Sequence, residues 1–344
     1  MPEVSTSRLR RARLWLAWLL VAAAYLAAVL VYQLPDRGEG SVWWNRFAWV
    51  AFMGRTFTFH AGLGLVVVLA WMALCRLWKP VLVLLPILGW AIGPAAWSYV
   101  PKRVSPLTGD TITVMSVNLL IGSGSDRAAA DLILREQPDV VVLQEYSDRA
   151  HAALHEMLHA DYLYVAVVSR DDAFGQAVYS RRPFVGTPVL YPPATLGTGR
   201  RAGGVVNLSD PQIRVVVEVG GREVVIQNIH TTPPVSGGQL AEQRAMIRWL
   251  AGWTRDEARP VILAGDFNAT RESLGVLRDA GTVSTHDLAG TGRGSTWIDT
   301  TPLRYLPGVR IDHVLISGGL ACDRSMVLES IGSDHRPILA RVGF

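Results

Sequence analysis

In the segment PVILAGDFN, Pro260–Asn268, an aliphatic run is followed by two polar side chains. The run Val261 to Ala264 is typical of a buried strand, and it brings Asp266 and Asn268 to the strand end. An aspartate at the end of one strand is an ordinary surface feature when it stands alone. Strand ends in a packed α/β core converge on one rim, however, so the rest of the chain decides whether partners exist.

Other segments join an apolar run to polar residues in the same way. They are MSVNLL with Asn118, VVVLQEY with Glu145, IQNIHTTPP with His230, RIDHVLIS with Asp312, and GSDHRPI with Asp334 and His335. Each could be a cap or a surface residue by itself. Repeated at strand ends throughout one domain, they predict a single polar cleft.

Strands alternate with amphipathic helices over this part of the chain. Ser125 is predicted to cap a helix over Asp126–Glu136, and a second helix is predicted over Gln239–Trp253. Weaker strands are predicted around Ala177–Ser180 and Arg214–Val219. Strands mixed with helices over one core indicate a layered α/β (α+β) domain with two sheets flanked by helices.

The motifs SVN, LQE, IH, GDFN, RIDH and SDHRP occur in that order. From about Thr111 to Ala340 the chain resembles the endonuclease/exonuclease/phosphatase superfamily, which includes DNase I, inositol polyphosphate 5-phosphatases and bacterial sphingomyelinases. GDFN together with SDHRP is the most specific part of the resemblance. It implies a four-layered αββα sandwich of DNase I type, and hydrolysis of a phosphoester with a divalent metal, usually Mg²⁺ and alternatively Mn²⁺.

The resemblance also implies a set of metal ligands. Glu145 supplies a hard carboxylate oxygen, Asn118 a neutral oxygen or an orienting amide, and Asp334 a second carboxylate. Few protein ligands suit an ion such as Mg²⁺ that retains several waters. The metal is expected to act as Lewis acid and template.

Five catalytic residues are implied as well. Asp266 would orient or deprotonate the attacking water, while Asn268 donates to the phosphoryl oxygens. His335 would contact the phosphate in the transition state, with Asp312 fixing its tautomer and favouring its charged form. His230 would bind phosphate or assist the leaving group. Which carboxylate is the general base stays open.

Three arginines are candidates for substrate contact. Arg200 and Arg201 lie in the glycine-rich segment Thr195–Gly204, which lacks the Lys-Ser/Thr of a P-loop and is interpreted as a mobile loop. Arg181 lies in YSRRPF, where a charged rim residue is the simpler interpretation. His313 follows Asp312 on a strand and is expected to point to the opposite face.

Residues 1–103 have a different character from the rest. Long apolar runs occupy about 14–31, 57–77 and 81–100, and each approaches the roughly 20 residues that a helix needs to cross a bilayer. No convincing cleavage site follows the first run. The sequence therefore predicts an all-α bundle of three transmembrane helices as a membrane anchor over 1–103, followed by a catalytic domain over 104–344.

Positive charges predict the orientation of this anchor. Arg8, Arg10, Arg11, Arg13, Arg76 and Lys79 fall on one side, and Arg37, Arg46, Arg55, Lys102 and Arg103 on the other. The bias is small, but the cluster before the first helix usually dominates. The N-terminus is thus expected in the cytoplasm, and three crossings of the plasma membrane would make the catalytic domain extracytoplasmic.

The net charge of +4 does not indicate a nucleic-acid partner. Residues 1–103 carry 11 basic and three acidic side chains, whereas the remainder carries 22 basic and 26 acidic ones, so the basic character belongs to the anchor. An acidic soluble domain lacks the electrostatic footprint of a duplex-binding protein. Cys75 and Cys322 fall in different parts of the chain, so no disulfide within the soluble domain is expected.

The expected substrate follows from the anchor. The linker Pro101–Asp110 keeps the cleft within roughly 35 Å of the membrane. A membrane lipid or lipid-linked phosphate is therefore favoured. The architecture resembles the VanJ-type proteins of teicoplanin resistance, which implies undecaprenyl pyrophosphate as substrate and a role in recycling the cell-wall lipid carrier.

Other functions remain open at this stage. An extracytoplasmic nuclease would need a basic groove. A sphingomyelinase-type phospholipase C would be expected to expose a hydrophobic hairpin, for which the sequence shows no clear candidate outside the anchor. A catalytically inactive membrane scaffold would be expected to lack at least one motif residue, and all are present. Composition says nothing about the oligomeric state.

Overall fold

The computed structural model describes residues 3–33, 41–191 and 210–344. Four helices precede the first strand of this described chain: α1 Glu3–Gln33, α2 Val42–Thr56, α3 Thr58–Leu74 and α4 Trp78–Trp97. The remaining elements are β1 Thr111–Asn118, α5 Asp126–Glu136, β2 Val140–Gln144, α6 Asp148–Leu158, β3 Tyr164–Val168, β4 Gln176–Ser180, β5 Arg214–Val219, β6 Arg222–His230, α7 Gly237–Asp256, β7 Val261–Asp266, α8 Gly275–Asp279, β8 Val283–Ser284, α9 Thr285–Ala289, β9 Asp312–Ile316, β10 Ala321–Val327 and β11 Ile338–Gly343.

The strands form two sheets that pack face to face. One has the order β10-β11-β1-β2-β4-β3 and the other the order β5-β6-β7-β9-β8. Val114 and Val142 of the first sheet meet Ile226 and Ile262 of the second in one buried cluster. Helices α5 and α6 cover the outer face of the first sheet, and α7 and α8 that of the second. The predicted four-layered αββα sandwich of DNase I type is confirmed.

Alternation along the strands places the polar strand ends. Successive side chains of a strand point to opposite faces. In β1, Ile112 and Val114 enter the core between the sheets, so Asn118 lies on the same face. In β7, Ile262 and Ala264 do likewise, which brings Asp266 between the sheets. The apolar pattern that builds the core therefore also aims these polar groups into one cleft.

The N-terminal helices agree only in part with the predicted three spans. Within the described residues, Arg8–Tyr32 of α1 and Trp78–Trp97 of α4 are each long and apolar enough to cross a membrane. Helices α2 and α3 meet that standard only as a pair bent by 70°. The span expected at 57–77 is instead α3, whose 17 residues extend about 25 Å. A third crossing is thus not confirmed.

Helix α2 lies between the first two predicted spans, in a segment for which no helix was predicted. Its buried residues Ala48, Ala51, Phe52 and Arg55 recur at helical spacing and form one stripe. Ala48 and Phe52 belong to the same apolar cluster as Phe267, which follows β7. Because α2 buries this stripe against the second sheet and its helices, α2 shares a hydrophobic core with the two-sheet domain.

Candidate active site

Three of the predicted catalytic residues lie side by side in the second sheet. Asp266 ends β7 and is in register with His230 at the end of β6, which runs parallel to β7. On its other side Asp266 is in register with Asp312 at the start of the antiparallel β9. A Cβ at Gly265, where φ is +149°, would overlap the Ile229 carbonyl oxygen. This glycine therefore permits the close approach of β6 beside Asp266.

His335 completes a buried cluster around Asp266. Its Nε2 lies 3.7 Å from Oδ2 of Asp266, and Nε2 of His230 lies at the same distance of 3.7 Å. Nδ1 of His335 lies 2.9 Å from Oδ2 of Asp312. Asp266 is 1% exposed and His335 5%, so these charges interact with little screening by water.

The protonation of the cluster follows from its packing. Burial alone would lower the pKa of His335, but the negative charges of Asp312 and Asp266 outweigh it and raise that pKa well above its usual value. Burial raises the pKa of Asp266, and repulsion by Asp312 adds to the effect. Burial and the charge on His335 lower the pKa of His230 to about 4. At neutral pH, His335 is therefore an imidazolium beside a neutral His230.

The other half of the site comes from the first sheet. Nδ2 of Asn118 lies 3.2 Å from Oε1 of Glu145 and 3.2 Å from Oδ2 of Asp266, so this amide joins the two sheets. The backbone N–H of Ile121 donates to Oε2 of Glu145 at 2.9 Å. Glu145 is partly exposed, which leaves its carboxylate accessible from the cleft.

The loop after β7 holds Asn268 against Asp266. The Asn268 backbone N–H donates to Oδ1 of Asp266 at 2.7 Å, and its Nδ2 donates to the Thr231 carbonyl at 2.9 Å. Asn268 has φ +47° and Glu145 has φ +57°. This is a left-handed backbone conformation that residues other than glycine rarely adopt. Strain of this kind persists where the surroundings fix a functional geometry.

Asp334 offers an oxygen that the protein does not satisfy. The Trp297 indole Nε1–H donates to Oδ2 at 3.2 Å. Oδ1 is buried, has no hydrogen-bond partner among the described residues and lies 4.0 Å from Nε2 of His335. A buried anionic oxygen without a donor is costly unless a cation or water meets it.

The donor set fits a hard divalent cation. Glu145, Asn118 and Asp334 offer carboxylate and amide oxygens, the ligand types that Mg²⁺ takes. Asp266, Asp312 and His335 form a second possible group, with ligand atoms within 4.8 Å of one another. In that group the hydrogen bond to Asp312 already occupies Nδ1 of His335. The first set therefore matches Mg²⁺ by the type of its ligand atoms, whereas in the second set the positively charged His335 lies between the carboxylates of Asp266 and Asp312.

A layer of buried polar side chains, which sequence analysis missed, lies between the two sheets next to the active-site residues. Nε2 of Gln144 donates to Oδ1 of Asn228 at 2.7 Å across the sheets, and Nδ2 of Asn228 donates to the Leu143 carbonyl at 2.9 Å. Gln144 precedes Glu145, and Asn228 lies two residues before His230 on the same strand face. The alternation that identified His230 could have identified Asn228.

Of the predicted substrate arginines, the structure describes Arg181, which does not lie at this site. Arg181 follows β4 at the end of the sheet opposite Gln176, and its Nη1 lies 3.4 Å from the Gln137 carbonyl. Because Gln176 pairs with Gln144 at the active-site end, Arg181 points away from the cleft. Arg200 and Arg201 lie outside the described residues. His313 faces away as expected, with Nε2 2.9 Å from the Ala269 carbonyl oxygen.

The chain belongs to the endonuclease/exonuclease/phosphatase family, whose model matches residues 115–335. Members of this family are phosphoester hydrolases, typically dependent on a divalent metal. A UPF0294 protein of Vibrio cholerae is 34% identical over 125 residues, which cover 35% of this chain and 40% of the relative. The chain therefore matches less than half the length of this curated relative.

Solved structures share the fold. An endonuclease/exonuclease/phosphatase from Beutenbergia cavernae superimposes with a TM-score of 0.53 at 22% identity, covering 68% of this chain and 72% of the other. A mannosyl-6-phosphatase from Bacteroides thetaiotaomicron gives a TM-score of 0.52 at 20% identity, covering 68% of this chain and 100% of the other. At these identities the likeness establishes the sandwich and not the substrate.

Proposed function

We propose that the protein is a membrane-bound, divalent-metal-dependent phosphohydrolase whose substrate is a lipid-linked phosphate, with undecaprenyl pyrophosphate as the favoured compound. Such an activity would recycle a cell-wall lipid carrier and could contribute to glycopeptide resistance. One observation carries this proposal: the loops that continue from the catalytic strand ends are the loops that contact the membrane helices.

Each of three catalytic strands contributes such a loop. After His230, the Pro234 carbonyl accepts a hydrogen bond of 2.8 Å from the Trp49 indole of α2. After Asp266, the turn Arg271–Ser273 packs against α2. Before Asp312, the Pro307 carbonyl lies 2.5 Å from Nε2 of His60 in α3. The rim of the cleft therefore adjoins the helices, where a lipid headgroup would be presented.

Helix directions support the extracytoplasmic placement of the catalytic domain. The Tyr25 hydroxyl donates to the Val83 carbonyl at 2.7 Å, and the Tyr32 ring lies 4.8 Å from that of Trp90. Both contacts advance together along the chain, so α1 runs parallel to α4. The arginine-rich start of α1 then lies at the end of α4 remote from the catalytic domain, and positive residues favour the cytoplasm.

The side chains of the site suit attack by water on phosphorus. Asp266, with its raised pKa, is placed to take a proton from water as the new O–P bond forms. The His335 imidazolium neutralises charge on a phosphoryl oxygen, and the Asn268 amide can donate to another. His230 stands beside Asp266 for contact with phosphate or with the oxygen of the leaving group. A cation held by Glu145, Asn118 and Asp334 would supply Lewis acidity.

A sphingomyelinase-type phospholipase C is the second candidate, and a surface feature favours it. Leu303, Tyr305 and Leu306 are exposed on the segment that leads to Pro307, close to α3. Exposed apolar groups beside membrane helices suit contact with lipid. The sequence had shown no clear candidate for such an element. This segment also fits a polyprenyl substrate, so the choice depends on the bond that is hydrolysed.

The decisive experiment measures product release by the full chain in detergent–lipid micelles with Mg²⁺. Undecaprenyl pyrophosphate, sphingomyelin and single-stranded DNA are compared, with Asp266→Asn as the inactive variant and Arg181→Gln as the matched control remote from the site. We expect phosphate release from undecaprenyl pyrophosphate, lost in Asp266→Asn and retained in Arg181→Gln. Hydrolysis of DNA alone would overturn the lipid substrate, and equal rates in Asp266→Asn would remove the assigned site.

Topology is tested separately by a C-terminal reporter that is active only outside the cytoplasm. A fusion after Phe344 is expected to be active, whereas a fusion in the turn between α3 and α4 is expected to be silent. The reverse pattern would place the catalytic domain in the cytoplasm and remove the argument for a carrier at the outer face.

A further inference from the structure

A cavity of about 330 Å³ lies at the seam between the membrane helices and the catalytic domain. Tyr32 of α1 and Trp90 of α4 contribute to its membrane wall, and Thr270 and Arg310 to the opposite wall. None of the catalytic or metal-binding residues assigned above lines it. The cavity is therefore a separate compartment next to the active-site loops.

The lining carries an excess of positive charge. Among the described residues, the cationic side chains are Arg55, Lys102, Arg271, Arg293 and Arg310, and the carboxylates are Glu272 and Asp287. Asp287 is shared, since Oδ2 lies 2.9 Å from Nε of Arg271 and Oδ1 lies 3.3 Å from Nη2 of Arg310. The acidic side chains thus neutralise only part of the cationic set.

Arg310 carries a buried hydrogen-bond donor that suits an anionic ligand. Its side chain is 12% exposed, and its Nη1 is buried with no hydrogen-bond partner among the described residues. An unsatisfied donor on a buried cation is costly, and an anionic oxygen is the group that would satisfy it. Burial lowers the pKa of Lys102 in the same cavity; the charge of Asp287 opposes this effect, and the charges of Arg310 and Arg271 add to it.

The position of the cavity identifies the kind of anion. Trp97 is the last residue of α4, Trp90 lies about two turns before it, and both line the cavity. Aromatic rings at the end of a membrane helix settle at headgroup depth. An anion bound there would contact the cationic side chains on one side of the cavity and the apolar surface of α4 on the other.

We propose that this seam cavity binds the phosphate headgroup of an anionic membrane lipid and thereby joins the anchor to the active-site loops. Arg271 lies three residues after Asn268, and Arg310 two residues before Asp312. A lipid phosphate between these arginines and α4 would hold both loops against the membrane helices. This inference requires that the helices lie in a bilayer, and it does not depend on which phosphate the catalytic site hydrolyses.

The test measures the thermal unfolding midpoint of the full chain in detergent micelles as lipid is added. Phosphatidylglycerol and phosphatidylcholine with identical acyl chains are compared with soluble glycerol 1-phosphate, which offers the phosphate without the chains. Phosphatidylglycerol is expected to raise the midpoint in a concentration-dependent way. In Arg310→Gln and Lys102→Gln the concentration needed is expected to rise about tenfold, the change that about 1.4 kcal/mol produces.

Arg127→Gln on α5 is the matched control, because Arg127 is an exposed arginine outside the cavity. It should respond to phosphatidylglycerol as the unmodified chain does. Equal shifts by phosphatidylcholine would overturn the headgroup site. A full response to glycerol 1-phosphate would identify a site for free phosphate instead of lipid. Unchanged sensitivity in both Arg310→Gln and Lys102→Gln would place lipid binding elsewhere.

Discussion

Nδ1 of His335 lies 2.9 Å from Oδ2 of Asp312, although the two residues are 23 positions apart in the chain. The contact orients the imidazole so that Nε2 faces Asp266 at 3.7 Å. The Asp312 carboxylate therefore fixes the ring and stabilises its positive charge. Protonation of His335 and catalysis should both depend on this pair.

Replacing Asp312 with Asn should move the alkaline limb of the pH–rate profile to lower pH. In the native site the nearby carboxylates raise the pKa of His335, so the imidazolium persists as pH rises beyond the usual range. Asp312→Asn removes one of these negative charges, and His335 then loses its proton at lower pH. We expect kcat to fall by about 10²–10⁴-fold at pH 8.

The measurement is kcat from pH 6 to 10 for the native chain, Asp312→Asn and Asp279→Asn. Asp279 is an exposed residue at the end of α8 and serves as control. An alkaline limb that stays in place in Asp312→Asn would show that His335 is not the group titrating there.

Replacing Glu145 with Gln should lower the affinity for Mg²⁺ with little effect on the fold. The substitution keeps the size of the side chain and removes the charge that would hold Mg²⁺. We expect the Mg²⁺ concentration for half-maximal activity, after removal of metal with a chelator, to rise at least about tenfold. Glu156→Gln on the exposed face of α6 is the control. Identical Mg²⁺ titrations for the two variants would exclude Glu145 as a ligand.

The sequence predicted most of the catalytic cluster because one pattern encodes both core and site. In β7, Ile262 and Ala264 enter the core, and the same two-residue period places Asp266 in the cleft. Local sequence cannot show the left-handed backbone of Glu145 and Asn268, because neither is a glycine. Trp297 was missed as well, since its bond to Asp334 exists only once distant loops pack together.

The membrane region was predicted less well, and the reason is also physical. Hydropathy measures the average character of a segment and does not show which face is buried. Asn45, Arg46 and Arg55 lower the average hydropathy of α2, yet the helix buries Ala48 and Phe52 against the catalytic domain. The bend at Phe57 then separates α2 from α3, whereas the sequence predicted a single span that begins at residue 57.

Truncating Phe52 should destabilise the joint between α2 and the catalytic domain. Phe52 is 2% exposed and belongs to the cluster that contains Phe267, so Phe52→Ala leaves a cavity there. A buried Phe→Ala substitution typically costs about 3–5 kcal/mol. We expect a lower thermal unfolding midpoint and faster proteolysis near α2 for the full chain in detergent.

Phe47→Ala provides the comparison on the same helix. Phe47 is 56% exposed, so its loss should change stability by no more than about 0.5 kcal/mol. Equal midpoints for Phe47→Ala and Phe52→Ala would mean that α2 does not dock on the catalytic domain in solution.

His286 should make the protein sensitive to acid. It is buried, and Nε2 lies 2.9 Å from the Gly292 carbonyl oxygen. Burial, together with the charge of Arg310, lowers its pKa from 6.5 to about 4, so the folded state holds it neutral over a range in which the unfolded state binds a proton. Stability from this group is complete above pH 6.5 and is lost as pH falls toward 4. The slope is at most about 1.4 kcal/mol per pH unit.

Urea unfolding of the full chain at pH 7.0, 6.0 and 5.0 checks this expectation, with a chelator present so that metal binding does not contribute. His286→Gln should lose stability at pH 7, because Gln does not reproduce the ring that packs against Gly290 and Gly294. Its further loss between pH 7 and 5 should nevertheless be smaller than that of the native chain. His159→Gln, at the exposed end of α6, should retain the native acid slope. If His286→Gln also retains that slope, another group governs the acid sensitivity, because removing the buried imidazole removes its proton linkage.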